Sequence, residues 1–318
     1  MKTQYKKAVN MENNELTVIQ HPGGLDQIKA LVIDGLNSPH SKTAYGHAID
    51  EFMEWYQAQG NPGLTKATVN AYKAHLQQNT DYAPSTINLR LSAIRRLALE
   101  AADNGLIAEP QGNGVAKVKG VKSSGVRSGN WLTLEQAQRL INAPDLSRLK
   151  GVRDRAILAV MIGGGLRRSE VAKLQFEDIQ QRESRWAIID MIGKGNRVRT
   201  IPLPNWAKVA VDQWTAAAGI AEGFIFRPIN KGDQITGDSL TSQAIQNIVK
   251  EYAALCGYEL AAHDLRRTFA KLARKANAPI DQIQLTLGHA SVQTTERYLG
   301  TKQDLITAPC DLININLD

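Results

Sequence analysis

Residues 287–298 read Leu287-Gly-His-Ala-Ser-Val-Gln-Thr-Thr-Glu-Arg-Tyr298. A helix expected over 280–287 ends where this stretch begins. His289 stands just beyond that end, and Tyr298 follows nine residues later. Taken alone, Tyr298 is a core or surface aromatic. Its meaning comes from what lies upstream. Arg266 precedes His289 by 23 residues and belongs to His263-Asp-Leu-Arg266-Arg267. His263 and Arg266 are three apart, so on a helix they share a face, while Leu265 and Phe269 can turn to the core. A histidine here, judged by itself, is a structural one.

Further upstream, Gly193-Lys194-Gly-Asn lies between two β-rich segments, Trp186 to Ile189 and Val198 to Leu203. That is a hairpin signal. A lysine between two glycines can reach into a groove on a mobile arm, though by itself it is an ordinary turn lysine. Earlier still, Gly165-Leu-Arg167-Arg168-Ser-Glu170 sits between two expected helices. Arginine at a helix start, beside free backbone N–H groups, is placed to hold a phosphate. Alone it would be a surface charge. In chain order the set is Arg, Lys, His-x-x-Arg, His, Tyr, and the ordered set is what carries information.

The rest of the chain bounds the context. It has 318 residues, 43% hydrophobic and 22% charged, with a net charge of +7. That length suggests two domains, and the basic excess points to a polyanionic partner, most commonly nucleic acid. Cys256 and Cys310 show no metal or redox spacing. There is no apolar run of membrane-spanning length and no secretory signal, which places the chain in the cytoplasm or nucleoid, away from membranes.

Residues 1–25 read as a flexible polar leader. From 26 to 108 the pattern is helical. Ala44, Ala48, Phe52 and Trp55 recur at helical steps from Ser41; Val69, Tyr72 and Leu76 do so from Thr65; Ile87, Leu91, Ile94 and Leu97 follow Pro84, with Ser85 as the expected cap and Asn104-Gly105 as the stop. Residues 109–130 read as a basic linker. Between Gln111 and Asn130 lie five glycines with Lys117, Lys119, Lys122 and Arg127, and no acid. Four cations without an acid favour a strap along DNA phosphates over a solvated tether. A second domain, 131–318, opens on Thr133 as a helix cap. It continues with a helix from Arg153 to Met161 broken by Gly163-Gly-Gly, another starting near Ser169, and helices near 206–218, 240–255, 264–276 and 280–287. The expected fold is mainly α, an N-terminal helical bundle followed by a mostly helical domain with a small antiparallel sheet.

The motif set resembles the tyrosine recombinase (phage integrase) family, closest to its short, Xer-like members, from about residue 26 to the end. The resemblance implies a SAM-like core-binding bundle, a catalytic domain, and catalytic positions Arg167, Lys194, His263, Arg266, His289 and Tyr298, with Glu170 a supporting acid. The pattern Gly-Leu-Arg-x-Ser-Glu selects Arg167 over Arg168, leaving Arg168 and Arg267 to contact DNA with Lys117, Lys119, Lys122 and Arg127. Phe176 and Arg267 depart from residues common in the family, without touching the six positions.

A phosphodiester attacked by a phenol gains negative charge, which guanidinium forks can stabilise. Arg167 and Arg266 suit that role, and His289 can add a hydrogen bond. Lys194 is the expected general acid for the leaving 5′ oxygen. His263 positions or deprotonates Tyr298, and nearby cations should help the phenol ionise. The acids near the motifs, Glu170, Asp178 and Asp264, are scattered among arginines, so neither metal nor other cofactor is expected.

Two rivals are a type IB topoisomerase-like enzyme and a catalytically silent DNA-binding relative. The helical bundle and the His263-Asp-Leu-Arg266 string weigh against the first, and the full set of six against the second. The expected partner is a double-stranded DNA recombination site. The expected assembly is a homotetramer on two such sites, with the participation of a second recombinase or accessory protein left open. The short leader argues against an extra arm-binding domain, and the role expected is dimer resolution or mobile-element integration and excision. The tail, 302–318, carries Leu312, Ile313, Ile315 and Leu317. An end that apolar is usually docked, on its own domain or, as the resemblance favours, on the next protomer.

Overall fold

The computed structural model describes residues 22–122, 130–193 and 197–299. The chain divides into two compact units, Met1–Val126 and Arg127–Asp318.

The first unit contains α1 (Pro22–Asp34), α2 (Pro39–Ala58), α3 (Lys66–Asn79), α4 (Pro84–Asp103) and α5 (Glu109–Ala116). Residues 22–25, expected in the leader, thus belong to the start of α1. The α2 stripe is rotated from its sequence reading: Ala48, Ile49, Phe52 and Tyr56 are buried, while Ala44 and Trp55 flank them half-buried. On α3 and α4 the expected residues, Val69, Tyr72, Leu76, Ile87, Leu91, Ile94 and Leu97, all face the core. The α3 cap is Thr65, whose hydroxyl accepts from the Thr68 N–H. Ser85 does not cap α4. The helix starts one residue earlier, at Pro84, after Ala83, because proline at the first position presets the helical φ and lacks an N–H that would need a partner.

The expected linker at 109–130 also begins too early. Residues 109–116 form α5, packed on α4 with Val115 fully buried. The chain beyond is tied down as well. Val118 is buried, and its carbonyl accepts from Arg95 Nη2. The Asn88 carboxamide donates to the Val121 carbonyl at 2.9 Å and accepts the Val121 N–H at 2.8 Å. Glycines and lysines dominate this stretch, and that hid the valines that pin it.

The second unit contains α6 (Leu134–Ile141), α7 (Leu149–Gly164), α8 (Arg168–Val171), β1 (Ile179–Arg182), β2 (Arg185–Ile192), β3 (Val198–Pro202), α9 (Asn205–Ala218), α10 (Ser242–Leu255), α11 (Ala262–Lys275), α12 (Ile280–Leu287) and α13 (Val292–Leu299). Thr133 caps α6 through a reciprocal exchange with Gln136. The central helix, α7, is buried on every side from Ala156 to Gly164. Its first turn is capped from afar, with the Asp233 carboxylate accepting from the Leu149 and Lys150 N–H groups at 2.7 and 2.9 Å.

The break expected at Gly163-Gly-Gly falls on the last of the three, Gly165, which ends α7 with φ 63°. Gly163 stays helical because it lets α9 approach; a Cβ there would lie 3.1 Å from the Trp206 ring. The sheet is antiparallel in the order β1-β2-β3, and β1 was absent from the sequence reading. A bulge between Ile188 and Met191 sets Met191 opposite Arg199. The C-terminal helices, α11 to α13, have a small cluster of their own, with Ala270, Ile283, Leu287 and Leu299 buried together apart from the main core.

Candidate active site

Every described member of the expected catalytic set lies at the end or start of an element, where side chains can converge. Arg167 is the cap residue of α8, His263 and Arg266 lie in the first turns of α11, His289 follows α12, and Tyr298 is near the end of α13. Lys194 and the DNA-contact candidate Arg127 lie outside the described residues.

The Tyr298 hydroxyl is 3.3 Å from His263 Nε2 and also 3.3 Å from the His263 carbonyl. Its ring stands edge-on between two imidazoles, with centroids 5.5 Å from His263 and 5.3 Å from His289. The Arg267 guanidinium lies 5.1 Å above the same ring and is ion-paired to Asp264 at 3.1 Å. His289 Nδ1 is 2.9 Å from the Thr295 hydroxyl, which fixes the ring against the helix that bears Tyr298.

Arg266 is fully buried. Its Nη1 donates to the Gly165 carbonyl at 2.6 Å, and its Nη2 donates to the Leu287 carbonyl. One guanidinium therefore joins α11 to the end of α7 and the end of α12. Among the described residues, Arg266 Nε has no hydrogen-bond partner although it is buried. A buried donor without a partner costs free energy, which an anionic oxygen brought to it would offset.

Arg167 is held by Glu170. The carboxylate accepts from the Arg167 N–H at 2.8 Å and from Arg167 Nη1 at 2.7 Å. The backbone donor that the sequence suggested for phosphate is thus taken by Glu170 itself. Glu170 is buried, which would raise its pKa, but its bonds to Arg199 and Arg167 and their charges outweigh burial and hold it below the usual carboxylate range. Arg199 donates from Nη2 to Glu170 at 2.8 Å.

Sequence reasoning missed Arg199. The available signal was strand alternation: on β3, Arg199 and Ile201 turn inward while Val198, Thr200 and Pro202 are exposed. An arginine at a core position of a strand needs a buried partner. Of the other expected contact residues, Arg168 lies 3.4 Å from the Gln243 carboxamide oxygen, and Lys117, Lys119 and Lys122 are exposed on the first unit.

The electrostatics follow from burial under several cations. Desolvation, with Arg266 and Arg167 next in weight, pushes His289 down to about 4. Desolvation with Arg266 and Arg267 also holds His263 below its ordinary value. Both imidazoles are therefore neutral near pH 7, and a neutral ring can accept a proton. Burial raises Tyr298 above its ordinary value, and the neighbouring arginines only partly offset it. The arginines favour the ionised phenol, as expected, but in the free protein burial outweighs their pull. Among the described residues, no three His, Cys, Asp or Glu side chains gather as a metal site, and no helix is long and apolar enough to cross a membrane.

Residues 130–304 match the phage integrase family model, and residues 28–105 match the model of the phage integrase N-terminal SAM-like domain. Tyrosine recombinase XerC of Haemophilus influenzae is 28% identical over 274 residues, covering 84% of this chain and 88% of that protein. Its counterpart in Pseudomonas entomophila is 29% identical over 269 residues, covering 82% and 85%. Among solved structures, XerH site-specific recombinase bound to a palindromic difH substrate superposes with a TM-score of 0.67 at 16% identity, covering 92% of this chain and 88% of that one. A lambda integrase (75–356) dimer bound to a COC′ core site superposes at 0.66 with 17% identity, covering 89% and 97%. The structural likenesses establish the fold, and the family model spans more than half of the sequence. With that match, this chain belongs to the phage integrase family and is a DNA breaking-rejoining enzyme, a site-specific tyrosine recombinase.

Proposed function

We propose that Tyr298 is the nucleophile and that Arg167, Lys194, His263, Arg266 and His289 serve it. The observation that carries this reading is the Tyr298 hydroxyl 3.3 Å from His263 Nε2, within reach of the charges of Arg266 and Arg167. The phenolic oxygen attacks the scissile phosphorus as His263 takes its proton. The bond from phosphorus to the 5′ oxygen breaks, and that oxygen leaves with a proton from Lys194. Arg167, Arg266 and His289 donate to the non-bridging oxygens as their charge grows. The product is a 3′-phosphotyrosyl link that keeps the bond energy, so a 5′ hydroxyl from a second duplex can reverse the step without ATP. Two rounds pass through a Holliday junction. None of these steps calls on a metal.

The first unit serves as the core-DNA-binding domain, and the second, to residue 318, as the catalytic domain. Both act on double-stranded DNA in the cytoplasm, at the nucleoid, in dimer resolution or mobile-element integration. A plasmid carrying two copies of the bound site, selected from random DNA, should be resolved into two circles. Relaxation of supercoils in plasmids lacking the site, without resolution, would favour the topoisomerase reading instead.

Lys117, Lys119 and Lys122 are proposed phosphate contacts. Replacing all three by Ala should weaken binding to every sequence alike. It should also flatten the slope of log Kd against log salt by about 2.7, at roughly 0.9 per contact. An unchanged slope would remove them from the interface.

The assembly is proposed as a homotetramer on two sites, in which residues 302–318 of one copy dock on the next; these residues lie outside the described ones. An open apolar groove of about 1220 Å³ on the second unit, lined by Trp131, Leu134, Ile141, Trp206, Val209 and Leu272, has the character to receive Leu312, Ile313, Ile315 and Leu317. Truncation after Gln303 should leave single half-site binding intact and abolish both cooperative full-site binding and recombination. A truncated chain that still binds cooperatively and recombines would overturn the assembly proposal.

A further inference from the structure

We infer that Arg199 is a positioning residue for the transition-state donors, a tie that fixes Arg167 and His289 relative to each other. The inference rests on the reading of those two residues given above. Arg199 enters from β3, and its side chain is 7% exposed. Nη2 donates to Glu170 at 2.8 Å, the same carboxylate that grips Arg167 through its backbone N–H and its guanidinium. Nε donates to the Thr286 carbonyl at 2.8 Å, in the last turn of α12.

Two glycines make room for the side chain. A Cβ on Gly288 would lie 2.9 Å from Arg199 Cδ, and a Cβ on Gly193 would lie 2.7 Å from its Nη1. Gly288 immediately precedes His289, and its φ of 64° turns the chain toward the site. One guanidinium thus touches the carboxylate that orients Arg167 and the backbone that launches His289. Both ties use the planar fork. A lysine ammonium on its flexible stem cannot satisfy the Glu170 oxygen and the Thr286 carbonyl from the same place. Nε and Nη2 of Arg199 are engaged by protein groups and the side chain is 7% exposed, which places it to act through the donors and not on the phosphate.

This placement has a chemical signature. Arg167 and His289 serve the negative charge on the non-bridging oxygens. A defect in their placement should matter for a phosphodiester and largely vanish when one non-bridging oxygen is replaced by a methyl group, which leaves the scissile group neutral. A general loss of fold would slow both substrates alike. The test uses the full chain, nicked duplexes carrying the selected site with either a phosphodiester or a methylphosphonate at the scissile position, and single-turnover adduct formation. DNA affinity and thermal unfolding are measured beside it.

Arg199→Ala and Arg199→Lys should bind DNA as the parent does and cleave the diester about 100-fold more slowly, the scale of a small misplacement of reacting groups. On the methylphosphonate the deficit should shrink to within about threefold, a far smaller share of that misplacement cost. Arg199→Lys retains the positive charge beside Glu170, and it decides the matter if Arg199→Ala is unfolded. Equal slowing of both substrates, or parental rates on the diester, by a folded variant that binds DNA would overturn the inference. Failure of the parent to form an adduct on either duplex would instead defeat the reading on which it rests.

Discussion

Tyr298→Phe should bind its DNA site with parental affinity and form no covalent adduct. The substitution removes one oxygen and leaves a ring of nearly the same volume, half-buried between His263 and His289. Both hydrogen bonds of the hydroxyl are long, at 3.3 Å each, so little stability goes with them. The chemical consequence should be total, since no other described hydroxyl is paired with His263. The check is a nicked duplex whose cleaved fragment diffuses away and traps the protein on the strand. Adduct formation by the Phe variant at any appreciable rate would remove Tyr298 from its role.

Arg266 carries the second large effect. Arg266→Ala should slow single-turnover cleavage by more than about 100-fold, the scale of losing one preorganised donor to developing charge. Its guanidinium also joins the Gly165 and Leu287 carbonyls, so alanine leaves two buried acceptors unsatisfied and should lower the unfolding temperature as well. Arg266→Lys separates the two effects. It keeps a positive charge in the cleft and loses the fork, and it should remain strongly impaired at temperatures where it is folded. A folded Arg266→Lys chain that cleaves at the parental rate would mean that charge alone suffices and the fork geometry does not matter.

The candidate site was legible in the sequence because its expected members are residue types at fixed spacing. His263 and Arg266 share a helix face, and Gly165-Leu-Arg167 and Leu287-Gly-His289 mark two helix ends, which the left-handed glycines at 165 and 288 close. Each residue that helix periodicity placed on the inner faces of α3 and α4 is buried, with the smaller Thr68, Ala93, Ala98 and Ala101 beside them. What stayed hidden depends on tertiary partners. Arg199 is buried only because Glu170 and the Thr286 carbonyl, distant in sequence, meet it. Asp233 caps a helix more than eighty residues away. Residues 109–122 read as part of a linker because glycine and lysine outnumber the valines that pin them, and pinning by Asn88 cannot be read locally. The pull of the arginines on Tyr298 was legible because charge is visible in a sequence, whereas the larger opposing effect of burial was not.

Covalent joining of one side chain to DNA is the core of the mechanism, and identifying the joined atom puts it to the sharpest test. The parental chain is trapped on a nicked duplex, the adduct is digested with protease and nuclease, and the modified peptide is sequenced by mass spectrometry. The mechanism predicts a single peptide carrying a nucleotide linked through its 3′ phosphate to Tyr298. Attachment at another residue, linkage through a 5′ phosphate, or cleavage without any adduct would contradict it.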